Sequence, residues 1–544
     1  MNTGYLQEKK MWKRRLVVRV GRAMGLVRRG SSERWGRAVP WIVFGLLLVL
    51  RLAALGRYKV SSDAMLQRGD AFAYMDFAQE LVENGSIPSR FRGSYLRPPG
   101  YPLVVGGLLM ASADEETLCT NVWRLNVLAD TGTVLLCFVL ACSFRRERLY
   151  RCVAAGVLAL QPWTAAYCNS MWPDTLVVFL VVLSAFLFTL AVKPRKARHQ
   201  LVCLVLGTGA LSASALFRSE MILVPPVIAC IYSVLVYRRL RGVLVSGVAC
   251  ASVFLAVAGV MCVYSQYVKG TPNLWIAPAY SETRGLFKWV QTWPGDQRVK
   301  MKLCLNLPAG EDFDPSLLPP SVFGSAREKA YVLRLIDTAN ERGVTTEVNE
   351  SFMELARNRR AQHPLRCGVL IRAHTAWMFW WDVRPMDGWR NTLFRWCPRK
   401  VQGIFLSAMK AVAIVLFSVL PAFVDWRCLS RHRIGVFSVL VFAYAFVALR
   451  ILTFWSVAYP ESRYMLPGWP CVLLADVFAL SLFLRWVRGF WQRGRHALQN
   501  DASGRAKNAE DNDLVPLALP RWPLDRQEHL RGGCSSGAVS DRHA

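Results

Sequence analysis

The chain has 544 residues, of which 53% are hydrophobic, and a mean hydropathy of +0.25. Its formal charge of +30, from 67 Lys+Arg against 37 Asp+Glu, sits in short clusters between long apolar runs. That placement excludes a nucleic-acid-binding reading and marks the chain as a polytopic membrane protein with positive-inside loops.

The runs are continuous rather than alternating, so they predict helical spans and not a β-barrel. A basic segment, 1–38, precedes the first run and is too long for the n-region of a cleavable signal, so it reads as a cytoplasmic lead into a signal anchor. Spans are expected at 39–57, 122–143, 152–168, 174–192, 201–217, 220–237, 242–264, 404–424, 435–455 and 467–486. The fold class is therefore all-α, a bundle of about 10 (9–12) transmembrane helices, each about 20 residues long.

Basic clusters fall on alternate connections: Arg145 to Arg151, Lys193 to Arg198, Arg238 to Arg241, Arg427 to Arg433 and Arg485 to Arg495. Placing them in the cytoplasm makes 58–121 a single outer loop. Its apolar piece Tyr101–Ser112 is too short to cross and is expected to lie along the outer face. The polar stretch 265–403 forms a second outer region, with helical patterns near 325–340 and 350–382. Its Trp289, Trp293, Trp377, Trp380 and Trp381 suit an interfacial belt. The first block of spans is 39–264, the second 404–486, and the tail 487–544 is polar and expected to be cytoplasmic and without a core. Fifteen cysteines are scattered with no C-x-x-C pair, which gives no support to a zinc or redox site. Cys304, Cys367 and Cys397 are free to pair if the outer region is oxidised.

The densest polar chemistry is in the first outer loop, "RGDAFAYMDFAQELVENGSIPSRFRGSYLRPPGYPLV". Asp70 opens a helix with Tyr74, Phe77, Ala78 and Leu81 on one face, and Gly85 is placed to cap its end. Asp70 reads either as a plain N-cap or as a general base held at the membrane surface. Arg97, stiffened by Pro98 and Pro99, reads as a headgroup anchor or as a clamp on a lipid-linked phosphate. Asp76 and Asp63 are the weaker acids of this loop.

Six segments in this order resemble the membrane-embedded glycosyltransferases of the GT-C superfamily that use polyprenyl-phosphate sugars, in particular the bacterial family-39-like branch related to protein O-mannosyltransferases and lipid A aminoarabinose transferases. They are "GDAFAYMDFAQELVENG", "YLRPPGYPLV", "QPWTAAYCNSMWPDTLVVFL", "ALFRSEMILVPP", "NRRAQHPLRCGVLIRAHTAW" and "PESRYMLPGWPCVLLA", spread over about 60–500. The resemblance implies a GT-C-type bundle with extracytoplasmic juxtamembrane helices and loops over a lipid-facing cavity. It makes Asp70 the base and Arg97 a phosphate contact, with Tyr74, Tyr101, Asp174, Arg218, Arg463 and Tyr464 binding substrate. Asp174 also reads as an N-cap, and Arg218, Arg463 and Tyr464 as interfacial anchors. His363 and Arg372 read as solvated. Some relatives follow the catalytic Asp with a second acid. Ala71 stands there in this chain, so the pattern admits a divalent metal (Mg or Mn) without requiring any cofactor.

The expected activity is transfer of one sugar from a polyprenyl-phosphate donor to an acceptor protein, lipid A, other glycolipid or cell-envelope glycan, in the plasma membrane and on its outer face. The partners are then the donor, the lipid bilayer and the acceptor, with no nucleic acid. A transporter or lipid flippase, or a non-catalytic scaffold on the same fold, are the rival readings. The transporter reading does not explain why the polar residues gather in two outer loops, and retained function after loss of Asp70 would favour the scaffold.

Overall fold

The computed structural model describes residues 38–57, 59–66, 70–85, 97–144, 147–193, 196–237, 239–269, 283–294, 297–381, 398–426, 433–454 and 462–484, with a few isolated positions besides. Contacts divide the chain into Met1–Leu482 and a separate unit, Phe483–Ala544. The basic N-terminal segment before Ala38 and most of the C-terminal tail lie outside the described residues.

The protein is an all-α polytopic membrane protein, with no strand among the described residues. Among the described residues eight helices are long and apolar enough to cross a bilayer: α1 (Ala38–Arg57), α5 (Glu115–Phe144), α7 (Asp174–Val192), α8 (Ala197–Phe217), the Ser219–Val236 segment containing α9 (Val224–Val236), α10 (Leu240–Lys269), α17 (Ile434–Phe454) and α18 (Met465–Leu484). α16 (Arg399–Phe423) has a shorter apolar part. The span expected at 152–168 is not continuous: α6 (Arg148–Leu160) stops where Gln161-Pro162 follows, because proline has no N–H to give the helix. Residues 161–173 instead fold back through a short 3-10 turn, Ala165–Tyr167.

The spans share one apolar core drawn from α1, α5–α10 and α16–α18. At one end of this bundle lie three short helices of the first loop, α2 (Ser62–Leu66), α3 (Ala71–Asn84) and α4 (Gly100–Met110). α4, at 11 residues, is about 16 Å long and covers half a bilayer core, as expected for a non-crossing helix. It sits close on α8: a Cβ on Gly100 would come within 2.7 Å of the Leu216 carbonyl oxygen. The start of α7, the end of α8 and the end of α17 meet at this same end, while at the other Arg433 donates to the Phe144 carbonyl at the end of α5 and Lys193, after α7, lies beside Gly435.

The second polar region builds its own small core. α11 (Arg284–Val290), α12 (Gln297–Ala309), α13 (Ala326–Arg342) and α14 (Thr346–Gln362) pack around Trp289, Trp293, Phe313, Val332, Ile336 and Phe352. Ser325 and Thr345 cap α13 and α14 by accepting from the N–H of Glu328 and Val348. Trp289 and Trp293 are therefore core residues and not an interfacial belt: their rings lie 5.7 Å apart, fully buried. The side chains of Trp377, Trp380 and Trp381 lie outside the described residues. Cys304 and Cys367 are both free, and Cys397 is outside the described residues.

Gly285 lets α11 touch α14. A Cβ there would stand 1.8 Å from the Asn349 carbonyl oxygen, and the Gly285 N–H donates to the Asn349 Oδ1 at 2.5 Å. Gly285→Ala is expected to destabilise the outer helices by about 3 kcal/mol, the upper range for overpacking, read as faster limited proteolysis within 284–362. Wild-type cleavage rates in that variant would contradict the close packing.

Lys300 of α12 is buried over the Trp293 ring, its Nζ 5.0 Å from the centroid. Burial pushes its ammonium down to about 8, partly offset by Cys304. A folded value below the ordinary lysine value means that the unfolded chain binds more protons between those two values. Stability of this layer therefore rises with pH from about 8 to 10.4. Lys300→Met should stabilise the layer by on the order of 3 kcal/mol at pH 7, and its melting-temperature advantage over wild type should shrink as pH rises through that window. A constant advantage from pH 7 to 10 would show that the gain is not electrostatic.

Candidate functional site

Asp70 occupies the N-cap position of α3, but its side chain makes no capping bond. Its carboxylate instead pairs with Arg97 across the loop, Nη2 to Oδ1 at 2.5 Å, with both side chains one-fifth exposed. The plain N-cap reading of Asp70 therefore gives way to a charge pair open to one side. Gly85 closes α3 with φ 60°, the left-handed cap expected of it. Arg97 is fixed from behind, because the Tyr264 hydroxyl of α10 donates to its carbonyl oxygen at 2.8 Å and Pro98 and Pro99 are buried after it. Asp63 is exposed on α2 and stands apart from this pair.

One turn after Asp70, Tyr74 packs edge-on against Tyr101 of α4, ring centroids 4.9 Å apart. Both belong to a buried cluster that also holds Met65, Ala71, Val105, Leu118 and Met171. The Tyr101 hydroxyl is buried and has no hydrogen-bond partner among the described residues. Burial pushes its ionisation well up, with smaller contributions from Tyr74, Asp174 and Cys119, so the phenol stays protonated and keeps a proton to donate.

Asp174 opens α7 without capping it, since the N-cap is Pro173. Its Oδ1 accepts from the Arg218 Nη2 at 2.5 Å, while its Oδ2 is buried without a partner among the described residues. Arg218, at the end of α8, reaches Glu220 as well at 3.0 Å. Glu220 in turn lies 3.8 Å from the Arg450 guanidinium of α17, whose Nη1 is 3.1 Å from the Met221 Sδ. Two acids and two arginines thus alternate across the mouth of three helices. Each charge is compensated, which a low-dielectric site requires. Arg218 is buried and held by two carboxylates, so it is a strut of the site and not an interfacial anchor.

The structure brings Asp70, Tyr74, Arg97, Tyr101, Asp174 and Arg218 to one end of the bundle, linked through Tyr74–Tyr101 and the charge chain. Arg463 and Tyr464 fall in the 3-10 helix Ser462–Gly468, and their side chains lie outside the described residues. His363 is exposed after α14, as expected, whereas Arg372 is half-buried, with its Nε shielded from solvent. Glu220 and Arg450 were missed by sequence reasoning. An arginine inside the apolar run "AFVALRILTF" was the available signal, because such a charge needs a partner. Among the described residues no three His, Cys, Asp or Glu side chains gather as a metal ion would need.

No family model matches the chain, and no curated protein matches it. Among solved structures it is similar to two of the Archaeoglobus fulgidus oligosaccharyltransferase. One is tethered by a disulfide bond to an acceptor peptide containing the NVT sequon, the other in complex with Zn and sulfate. Each is 12% identical with a TM-score of 0.42; the matches cover 84% and 81% of this chain but 50% and 49% of those chains. The chain therefore spans about half the length of the structures it matches.

Proposed function

We propose that the protein is a GT-C-type membrane glycosyltransferase that moves a sugar from a polyprenyl-phosphate donor to an acceptor at the extracytoplasmic face of the plasma membrane. The observation that carries this reading is the Asp70–Arg97 pair, a base and a cation joined at the mouth of an apolar bundle and one-fifth exposed. The alternation of basic clusters along the sequence supports a mouth that faces outside and termini that lie in the cytoplasm. The ordered motifs of the sequence support the same class.

In this mechanism the donor's polyprenyl chain lies in the membrane and its phosphate meets Arg97. The phosphate then shares the guanidinium, which loosens its hold on Asp70. An acceptor hydroxyl or amine attacks the anomeric carbon while its proton passes to Asp70. The carbon–oxygen bond to phosphate breaks, and the electron pair leaves with the lipid phosphate, where Arg97 stabilises the charge. One displacement inverts the anomeric centre. The Tyr101 hydroxyl and the Asp174 Oδ2, both buried and open to a partner, suit the hydroxyls of a sugar. Asp174, Arg218, Glu220 and Arg450 hold the mouth in shape. The chemistry asks for one base and one cation, and a divalent metal would add to Arg97 rather than replace it.

The test is transfer from a panel of radiolabelled polyprenyl-phosphate sugars by membranes that carry the protein, against membranes that lack it. Label moving to an acceptor from one donor is the expected result. No transfer from any donor by folded protein would overturn the reading, and lipid movement across vesicles without transfer would replace it by the flippase.

A further inference from the structure

Four cations of the second outer region lie within electrostatic reach of one another, with no matching acid among the described residues. Arg284 and Lys288 come from α11, Arg360 from the end of α14, and Arg372 from the start of α15 (Ile371–Trp381). Arg360 is anchored by Nη2 bonds to the Gln291 Oε1 at 3.2 Å and to the Lys288 carbonyl at 3.4 Å. The Nε groups of Arg360 and Arg372 are buried and without a hydrogen-bond partner among the described residues. No carboxylate lies within ion-pair distance of any of the four among the described residues. Burial first, then Arg360, Arg372 and Arg284, push the Lys288 ammonium down, and burial with Arg372 does the same to Arg360. Such a group of like charges is unfavourable by itself and gains from an anion that bridges it.

Its surroundings say which anion. Between α14 and α15 runs a π-helical turn, Arg366–Leu370, along which Leu365, Val369 and Leu370 are exposed. α15 then packs against α16 and the Ser462–Gly468 turn, so the cluster lies at the seam between the outer helices and the mouth of the bundle. An apolar edge beside a cationic cluster at that depth matches an amphiphile with a phosphate head. We propose that Arg284, Lys288, Arg360 and Arg372 form a headgroup site for an anionic phospholipid of the outer leaflet, with Leu365, Val369 and Leu370 against its acyl chains. This site is separate from Asp70 and independent of any transfer reaction. It ties the outer helices to the membrane and keeps their edge at a fixed height over the mouth.

The test uses the purified full-length chain, immobilised in detergent, and retention of radiolabelled phosphatidylglycerol against phosphatidylcholine. Wild type and Asp70→Asn should retain phosphatidylglycerol preferentially and equally. R284Q/K288Q, which changes one exposed and one half-buried side chain and leaves Arg360 and Arg372 in place, should lose about fivefold per cation removed. R360Q/R372Q should lose at least as much. Arg357→Gln, on an exposed position of α14, should not change retention. Unchanged retention in folded R284Q/K288Q would overturn the proposal. Displacement of the lipid from wild type by inorganic phosphate would assign the cluster to a free anion. Displacement by polyprenyl phosphate ahead of phosphatidylglycerol would assign it to the substrate lipid.

Discussion

Asp70→Asn is expected to lower sugar transfer by about a hundredfold to ten-thousandfold, the range for loss of a positioned general base. The substitution keeps the size of the side chain and its place at the head of α3. Because that side chain makes no capping bond, the helix should lose little. The protein's yield and melting temperature are therefore expected to stay near wild type while transfer collapses. The acid limb of the pH–rate profile should vanish with it, since an amide has no proton to lose. Arg97→Gln should weaken transfer through a different route, by leaving the departing phosphate uncompensated. Full transfer by folded Asp70→Asn would remove Asp70 from the reaction and leave the Asp70–Arg97 pair as a structural tie.

The second large effect is on stability. All five N–H donors of Arg51 in α1 are used: Nε and Nη2 clasp the Asp130 carboxylate at 2.7 and 2.8 Å, Nη2 also reaches the Thr164 hydroxyl, and Nη1 reaches the carbonyls of Ala159 and Gln161. Both partners are buried inside the bundle. Removing one leaves an uncompensated charge, so Asp130→Leu and Arg51→Met are each expected to cost about 3–5 kcal/mol. The double variant should recover a large part of that loss, because an apolar pair of similar volume replaces a costly buried ion pair. Thermal unfolding of the four proteins in one detergent gives the coupling directly. A double variant as unstable as the sum of the singles would mean that the pair carries no interaction of its own.

Much of this was legible in the sequence, for reasons that differ by region. The spans could be read because a continuous apolar run and a basic loop are local signals. The non-crossing α4 followed from its length and from the side assigned to Arg145–Arg151. Asp70 and Arg97 could be named separately, but their pairing depends on how the chain folds across a separation of 27 positions, which no periodicity encodes. The break after Leu160 was misread, since hydropathy weighs Gln161-Pro162 lightly while the backbone does not. Trp289 and Trp293 were assigned to the membrane surface because tryptophan is at home there. They are instead the centre of a helical layer whose other members, Val332, Ile336 and Phe352, lie well along the chain. Arg450 and Glu220 were hidden by the same problem: a charge in a span announces a partner without saying which one.

The Arg51 clasp also bears on how the protein is made. Its acceptors on α5, at the end of α6 and just beyond it are synthesised at least 79 residues after it. Until they arrive, α1 holds a guanidinium in or near lipid, an outlay of about 2.5–3.5 kcal/mol on insertion scales. α1 is apolar enough to enter the bilayer by itself, but it gains its native seat when the α5–α6 hairpin closes around Arg51. α1 is thus made before α5 and α6 but finished together with them. Biogenesis of this chain should pass through a stage in which the insertion machinery still shelters α1, and it should release α1, α5 and α6 together as one three-helix unit.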